Sequence, residues 1–321
     1  MMQVRMKQGA LRRRLLSAIP NAGSLDFVLP PELEASEPPE ARGLARDEVR
    51  LMVSYCSDDQ VRHTQFRQLP EFLTAGDVLV INTSGTLNAA LAVTRADGTR
   101  LELHLSTHLP ADLWVVEVRR SNDQATKPLG MIQAGETLQL PGGATAMLLA
   151  PYSPDRSTPV PEQVRLWIAT LSLPVPLLAY LETYGFPIRY GYVKQGWPSE
   201  YYQTVYATER GSAEMPSAGR AFTTELITRL IAHGVQIVPL LLHTGVASLE
   251  AHEPPYEEVY RVPIDTARIV NQARVEGKRI IAVGTTVVRA LETVTDRSAT
   301  THPGEGWTRE IITPQRGVRA V

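Results

Sequence analysis

The chain has 321 residues, of which 43% are hydrophobic and 21% charged, enough for one large domain or two ordinary ones with buried cores. A net charge of −2 and a pI of about 6.4 exclude the overall basic footprint of a general nucleic-acid binder, so any RNA contact must be local. A single cysteine excludes an intramolecular disulfide framework and a cysteine zinc cluster, and no apolar run approaches the roughly 20 residues of a membrane helix. A soluble protein of a reducing cytoplasm is expected.

The first 24 residues read as a leader. Arg12, Arg13 and Arg14 beside Leu15 and Leu16 form one short basic cluster, which suits an unstructured leader or a misassigned start better than a transit peptide. From 25 to 50, Pro30, Pro31, Pro38 and Pro39 forbid a continuous helix and predict an extended segment. Short apolar alternations predict strands over Val49–Val53 and, after a turn at Ala75 and Gly76, over Asp77–Ile81. Cys56 is assigned to a strand core, since no activating partner stands near it.

Between about Ala89 and Thr170 strands dominate. Leu101, Leu103 and Leu105 alternate with Glu102 and His104, and Trp114–Val118 and Val164–Ile168 continue the β-rich pattern. Turns at Asp97–Gly98 and Pro141–Gly143 suit a small antiparallel barrel or sandwich.

After Pro176 the period becomes helical. Leu177, Leu178 and Leu181 precede a stop at Tyr184 and Gly185. Thr223 or Thr224 caps a helix carrying Leu226, Ile227, Leu230 and Ile231, which Gly234 ends before the apolar strand Val235–Leu242. Asp265 is expected to cap a helix with Ile269, Val270 and Ala273 inward, ended by Gly277. Arg279–Val283 then reads as a buried strand, Gly284–Thr286 as a tight loop, and Val287–Val294 as a helix. Strands alternating with helices predict a largely parallel sheet or barrel with ligand sites beyond the strands' carboxyl ends. The division expected is a main α/β domain in two parts, 1–88 and 171–321, with a β-barrel inserted at 89–170.

Candidate chemistry gathers at those ends. The Gly284, Thr285, Thr286 turn offers backbone N–H groups and a helix dipole to a carboxylate or phosphate, or is an ordinary capped turn. Arg289 and Glu292 follow at a spacing that lets them pair on the surface or reach a ligand together. Tyr201, Tyr202, Gln203, Thr204 and Tyr206, with Ser217 and Gly219 in a small-residue loop, can stack on and hydrogen-bond a nucleobase, or simply edge a core. His243 ends an apolar strand, where a reactive or a structural histidine can sit, and Glu258 is a general base or a solvated side chain. Walker, dinucleotide, nucleophile-elbow and zinc-protease motifs are absent from the sequence, and nothing in it demands a metal.

Taken in order, these segments resemble the S-adenosylmethionine:tRNA ribosyltransferase-isomerases of queuosine biosynthesis. The resemblance runs from Leu25, Asp26 and Leu29 through His63, Phe66, Leu69, Pro70, Gly76, Asp77 and Asn82. It continues over Tyr202–Ala207, Pro216, Ala218, Gly219 and Phe222, then Leu242, His243, Gly245, Glu258 and Tyr260, and is strongest over Ile281–Thr286 with Arg289, Leu291 and Glu292. It implies an α/β-barrel-like main domain with a small inserted antiparallel β-barrel. It also implies S-adenosylmethionine as co-substrate, with its ribosyl part transferred and isomerised onto 7-aminomethyl-7-deazaguanine at the anticodon wobble position of tRNA to give epoxyqueuosine.

Such a site needs a base, a clamp for the methionine carboxylate and nucleobase contacts. On this reading His243 or Glu258 is the base, and Gly284, Thr285, Thr286, Arg289 and Asn82 hold the cofactor. Tyr202, Gln203, Thr204, Tyr206, Ser217 and Gly219 contact substrate, and all of these groups surround one cavity. A monomer or weak homo-oligomer is expected.

The sequence departs from the family at several places. Thr83, Ser84 and Gly85 stand for Asp, Thr, Arg; Arg220 and Ala221 for Leu, His; Ala247, Ser248 and Leu249 for Gly, Thr, Phe; and Tyr256 for a histidine. A shortened carboxyl end at Val321 is a further expectation. These departures give two other readings, a non-catalytic nucleoside- or RNA-binding descendant and an enzyme with a different acceptor.

Overall fold

The computed structural model describes residues 30–121, 126–129, 132–152, 164–189, 193, 195–246 and 255–321. The leader, Leu25, Asp26 and Leu29, and the substitutions at Ala247, Ser248 and Leu249 lie outside them.

The proline-rich start forms short 3-10 turns at Pro39–Arg42 and Arg46–Glu48, and Gly43 closes the first with φ 73°. Pro38 and Pro39 fix φ and remove donors, so no α-helix can run through them. An antiparallel hairpin follows, β1 (Arg50–Ser54) and β2 (Val61–Gln65). Cys56 falls just past β1 and is exposed, which corrects its assignment to a core: the strand ends before reaching it.

β3 (Val78–Asn82) is buried at every position and leads through β4 (Ser84–Thr86) into the barrel. The barrel strands are β5 (Ala90–Thr94), β6 (Arg100–Leu109), β7 (Leu113–Ser121), β8 (Thr126–Pro128), β9 (Thr137–Gln139), β10 (Thr145–Pro151) and β11 (Leu166–Ser172). The ring β5-β6-β7-β11-β10-β9 closes on itself as a six-stranded antiparallel barrel, with β8 paired outside it to β7. Closure removes the exposed edges that an open sheet would leave. Inward Leu103, Leu105, Val116, Leu138, Leu148 and Trp167 fill it, each large apolar side chain contributing roughly 1.5–3 kcal/mol by leaving water. A register shift between Leu105 and Thr107 frees Ser106 from the ladder, and its Oγ accepts the Val246 N–H at 3.0 Å. The bulge thus ties the barrel to the chain just after His243.

The second half comprises α1 (Leu177–Tyr184), β12 (Gly185–Phe186), β13 (Glu209–Ser212), α2 (Thr224–Ala232), β14 (Gln236–Leu242), β15 (Glu258–Val262), α3 (Ile264–Val275), β16 (Ile280–Ala282), α4 (Thr285–Val294) and β17 (Gly304–Thr308). Thr223 caps α2 by accepting the Leu226 N–H at 3.1 Å, and Gly234 ends it with φ 88°. Pro263, not Asp265, is the N-cap of α3. Asp265 sits inside the first turn, where its charge favours the positive helix end and lies 3.5 Å from Arg268.

The main sheet runs β16-β3-β14-β15-β17. β3 is parallel to both β14 and β16, but β15 and β17 run antiparallel, so the sheet is mixed rather than largely parallel. It is also open: β16 and β17 form its two ends and do not pair among the described residues, in place of the expected barrel-like closure. β15 meets β14 only at Leu241 and Leu242, beyond Pro239, which has no N–H to offer a neighbour. One face packs Val80, Leu240, Val270, Val287 and Leu291 beneath α3 and α4; the other packs Leu79, Phe222, Leu226 and Leu230 beneath α2. No helix among the described residues is long and apolar enough to cross a membrane.

Candidate active site

Asn82 ends β3 and is almost fully buried. Its Nδ2 donates to the Leu242 carbonyl at 2.9 Å and to Thr286 Oγ1 at 3.3 Å, while Oδ1 accepts from the N–H groups of Ser84 and Leu242. One amide therefore joins the ends of β3 and β14 to the start of α4. Thr285 and Thr286 lie inside the first turn of that helix, with Gly284 as its N-cap at φ 97°. A Cβ at 284 would stand 2.9 Å from the Ala218 Cβ, so glycine is required there by close packing as well as by backbone conformation.

His243 follows β14 and is held from both sides. Nδ1 is 2.7 Å from Ser84 Oγ, which is 2.6 Å from Ser212 Oγ, and Ser212 Oγ accepts the Thr244 N–H at 3.0 Å. The two hydroxyls and Nδ1 thus form one hydrogen-bonded chain anchored on the Thr244 N–H. Nε2 faces Glu209 at 3.7 Å, whose other oxygen binds Arg261 at 2.5 Å. Burial pushes the His243 pKa down against the opposing pull of Glu209, so the imidazole is neutral. The ring also lies against Gly211, where any Cβ would collide with it.

Glu258 and Arg289 form a buried ion pair. Glu258 also accepts the Gly245 N–H at 3.2 Å, and burial outweighs Arg289 in raising its pKa. Arg289 makes three further bonds: Nε donates to the Glu310 carbonyl at 3.0 Å, and Nη2 donates to the carbonyls of Tyr256 at 2.6 Å and Thr308 at 3.3 Å. This corrects its expected role as an anion clamp, because four of its five N–H donors are spent on protein and the side chain is buried. Glu292 does not pair with it. Its carboxylate takes Arg316 at 2.8 Å and the N–H groups of Arg319 and Ala320.

The substrate-contact candidates divide. Tyr202 and Ser217 line a cavity of about 480 Å³ with Arg42, Arg46, Trp197, Tyr201, Glu214 and Arg220. Gln203 instead spends its amide on Thr86, accepting the Thr86 N–H at 2.9 Å and donating to its carbonyl at 2.7 Å, like an extra strand. It acts as a brace and not as a base reader. Thr204 is buried beside Gly219, and Tyr206 packs on Phe222 with ring centres 6.0 Å apart, burial raising its phenol pKa. Gly219 leaves room for the Tyr206 hydroxyl. These three build the cavity's support.

His243 lines a separate, smaller cavity of about 230 Å³ with Gly211, Ser106, His108 and Trp114. The expectation of one cavity shared by Tyr202, His243 and the 284–286 turn is therefore corrected. The turn abuts Ala218 behind Ser217, and Asn82 and Ser84 link it to His243, but the three do not line a common space among the described residues. Neither His243 nor Glu258 faces the larger cavity.

Sequence reasoning missed the walls formed by Arg42, Arg46, Trp197 and Glu214; Tyr201 stood in the tyrosine cluster, and Arg220 only as a departure from the family. Arg46 and Arg220 share Glu40, at 3.6 and 2.9 Å, and donate to the carbonyls of Gln203 and Tyr201. Burial would raise the Glu40 pKa, but Arg220 and Arg46 bring it below the ordinary carboxylate value. No group of three or more His, Cys, Asp or Glu placed to hold a metal ion is found among the described residues.

A cavity of small-molecule size walled by the proline-rich start, residues 197–202 and the 213–221 loop makes this mixed α/β protein a candidate ligand binder. Residues 22–321 match the family model described as Queuosine biosynthesis protein, and the chain belongs to that family. An S-adenosylmethionine:tRNA ribosyltransferase-isomerase of Thermus thermophilus is 37% identical over 304 residues, covering 90% of this chain and 81% of that protein. The protein of the same name from Desulfitobacterium hafniense is 35% identical over 306 residues, with the same coverage of 90% and 81%. A crystal structure of S-adenosylmethionine tRNA ribosyltransferase from Thermotoga maritima aligns at 28% identity and TM-score 0.39, over 89% of this chain and 77% of that one.

Proposed function

We propose that the chain is an S-adenosylmethionine:tRNA ribosyltransferase-isomerase. It transfers and isomerises the ribosyl part of S-adenosylmethionine onto 7-aminomethyl-7-deazaguanine at the wobble position of tRNA, releasing adenine and methionine and leaving epoxyqueuosine. The observation that carries the site assignment is the 480 Å³ cavity, within the roughly 300–1,000 Å³ of small-molecule sites and walled by aromatic rings, guanidinium groups and carboxylates.

Tyr201, Tyr202 and Trp197 offer faces on which a nucleobase stacks, and Ser217 a hydroxyl for its edge. The Asn82, Thr286 and Gly284 junction fixes the loop that carries Ser217. His243 and Glu258 support the strand ends instead of removing the substrate proton. Enclosure by the cavity orients the ribose of the bound sulfonium for transfer. The protein acts in the cytoplasm as a monomer or weak homo-oligomer.

The test is incubation with S-adenosylmethionine and tRNA bearing the aminomethyl precursor, with adenine followed by chromatography and modified nucleoside by mass spectrometry. One adenine per epoxyqueuosine is expected. Absence of both products overturns the assignment, and adenine without modified tRNA overturns the acceptor.

A further inference from the structure

We infer that a groove running from the large cavity to the barrel binds single-stranded RNA beside the reacting base, with Arg210 as its phosphate contact and His108 as its stacking platform. The inference rests on the proposed function and adds the surface that holds the acceptor tRNA.

Three cavities share walls in series. Thr86 lines both the large cavity and a second one of about 220 Å³, and Leu87, Leu178 and Arg210 line both that one and the cavity of about 230 Å³ beside His243. The paired strands β4 and β13 bound this path on one side and α1 on the other, and β6 and β7 of the barrel close its far end with His108 and Trp114. Asn88, Glu182, Ser199 and Arg210 make the middle space polar. A narrow polar path that ends on an aromatic platform suits an extended strand of nucleotides.

Arg210 stands opposite Gly85 in the β4–β13 register, and a Cβ at 85 would lie 3.3 Å from the Arg210 Cγ, so the arginine stem crosses the glycine. Gly85 is a place where the chain departs from the arginine of its family, and Arg210 returns a guanidinium to that spot. Glu182 holds it at 2.6 Å, but the two side chains are 51% and 61% exposed. A surface pair of this kind contributes little, and a phosphate displaces the carboxylate. His108 stacks on Trp114 with ring centres 4.7 Å apart and 15° between planes. Trp114 is buried while the His108 side chain is 54% exposed, which leaves the outer face of the imidazole to a base. With a net charge of −2 there is no general attraction to RNA, so placed contacts such as these carry the binding.

The experiment measures binding of the precursor-bearing tRNA by fluorescence anisotropy over a salt series, and of S-adenosylmethionine by calorimetry, on the full chain. Arg210→Gln and His108→Ala each weaken tRNA binding about tenfold. Arg210→Gln also lowers the slope of log affinity against log salt by about 0.7, the value of one phosphate contact on a single strand, whereas His108→Ala leaves the slope unchanged. His108→Phe restores the affinity, because the platform needs a ring and not a charge. Glu182→Gln frees Arg210 and tightens tRNA binding about threefold, which no folding defect imitates. S-adenosylmethionine affinity stays at the wild-type value in all four variants. Wild-type tRNA affinity in either Arg210→Gln or His108→Ala overturns the inference and leaves the proposed function standing, and so does a parallel loss of S-adenosylmethionine affinity. Failure of wild type to bind the tRNA overturns the proposed function itself.

Discussion

Replacing Arg289 with alanine separates an anion clamp from a structural anchor. The side chain is 11% exposed and its partner Glu258 16%, so removal strands a buried carboxylate and leaves the carbonyls of Glu310, Tyr256 and Thr308 without their donor. Breaking a buried pair by removing one partner costs about 3–5 kcal/mol, and residual exposure of both groups puts this pair near the lower end, about 3 kcal/mol. At about 2.1 cal/mol/K of unfolding entropy per residue, 321 residues give roughly 1.5 °C per kcal/mol, so Tm falls by about 4–5 °C. Differential scanning calorimetry measures it, with S-adenosylmethionine affinity determined below the transition. The double variant Arg289→Met with Glu258→Met recovers much of the loss, because it leaves no isolated charge. A variant with wild-type Tm and abolished affinity would refute this reasoning and restore the clamp.

Three further outcomes follow from named contacts. Glu292→Gln destabilises the chain at neutral pH: burial alone would raise the Glu292 pKa, but the Ala320 N–H, Arg316 and the Arg319 N–H together hold it below the ordinary carboxylate value. A depressed folded pKa contributes stability above the unfolded pKa and loses it as pH falls through the folded value, so the wild-type advantage in Tm shrinks in acid below about 4.5. Ser84→Ala strands the Ser212 hydroxyl and His243 Nδ1 in a buried site and costs about 1–3 kcal/mol, read as a lower urea midpoint. Gly219→Ala drives a methyl into the Tyr206 hydroxyl, and the overpacking costs about 1–3 kcal/mol with a shift in tyrosine near-ultraviolet dichroism.

Local patterns made the barrel and the helices legible. The alternation of Leu101, Leu103 and Leu105 is set by the pleat itself, and Thr223, Gly234 and Gly277 mark helix ends through backbone chemistry within a few residues. β15 and β17 were not legible. Their residues alternate weakly, and what makes them strands is pairing between Glu258–Val262 and Gly304–Thr308, far apart in sequence.

The same holds for the site. Asn82, Tyr202 and Ser217 stood out from local context and family resemblance, but the wall they face is completed by a proline-rich segment joined through Arg220 to Glu40, 180 positions away, and through Arg46 to Gln203, 157 positions away. Arg289 and Glu292 misled for a related reason. A three-residue helical spacing suggests a surface pair, whereas each is buried against a different returning segment, Arg289 on β15 and Glu292 on residues 316–320.

The central claim is that the cavity between residues 35–49, 197–202 and 213–221 takes S-adenosylmethionine, and a crystal structure of the protein with this ligand tests it most directly. The account predicts the adenosyl group against Tyr201 and Tyr202, with Ser217 in contact and the methionine end inside the same cavity. Ligand bound instead in the smaller cavity beside His243, or on Arg289, would contradict it.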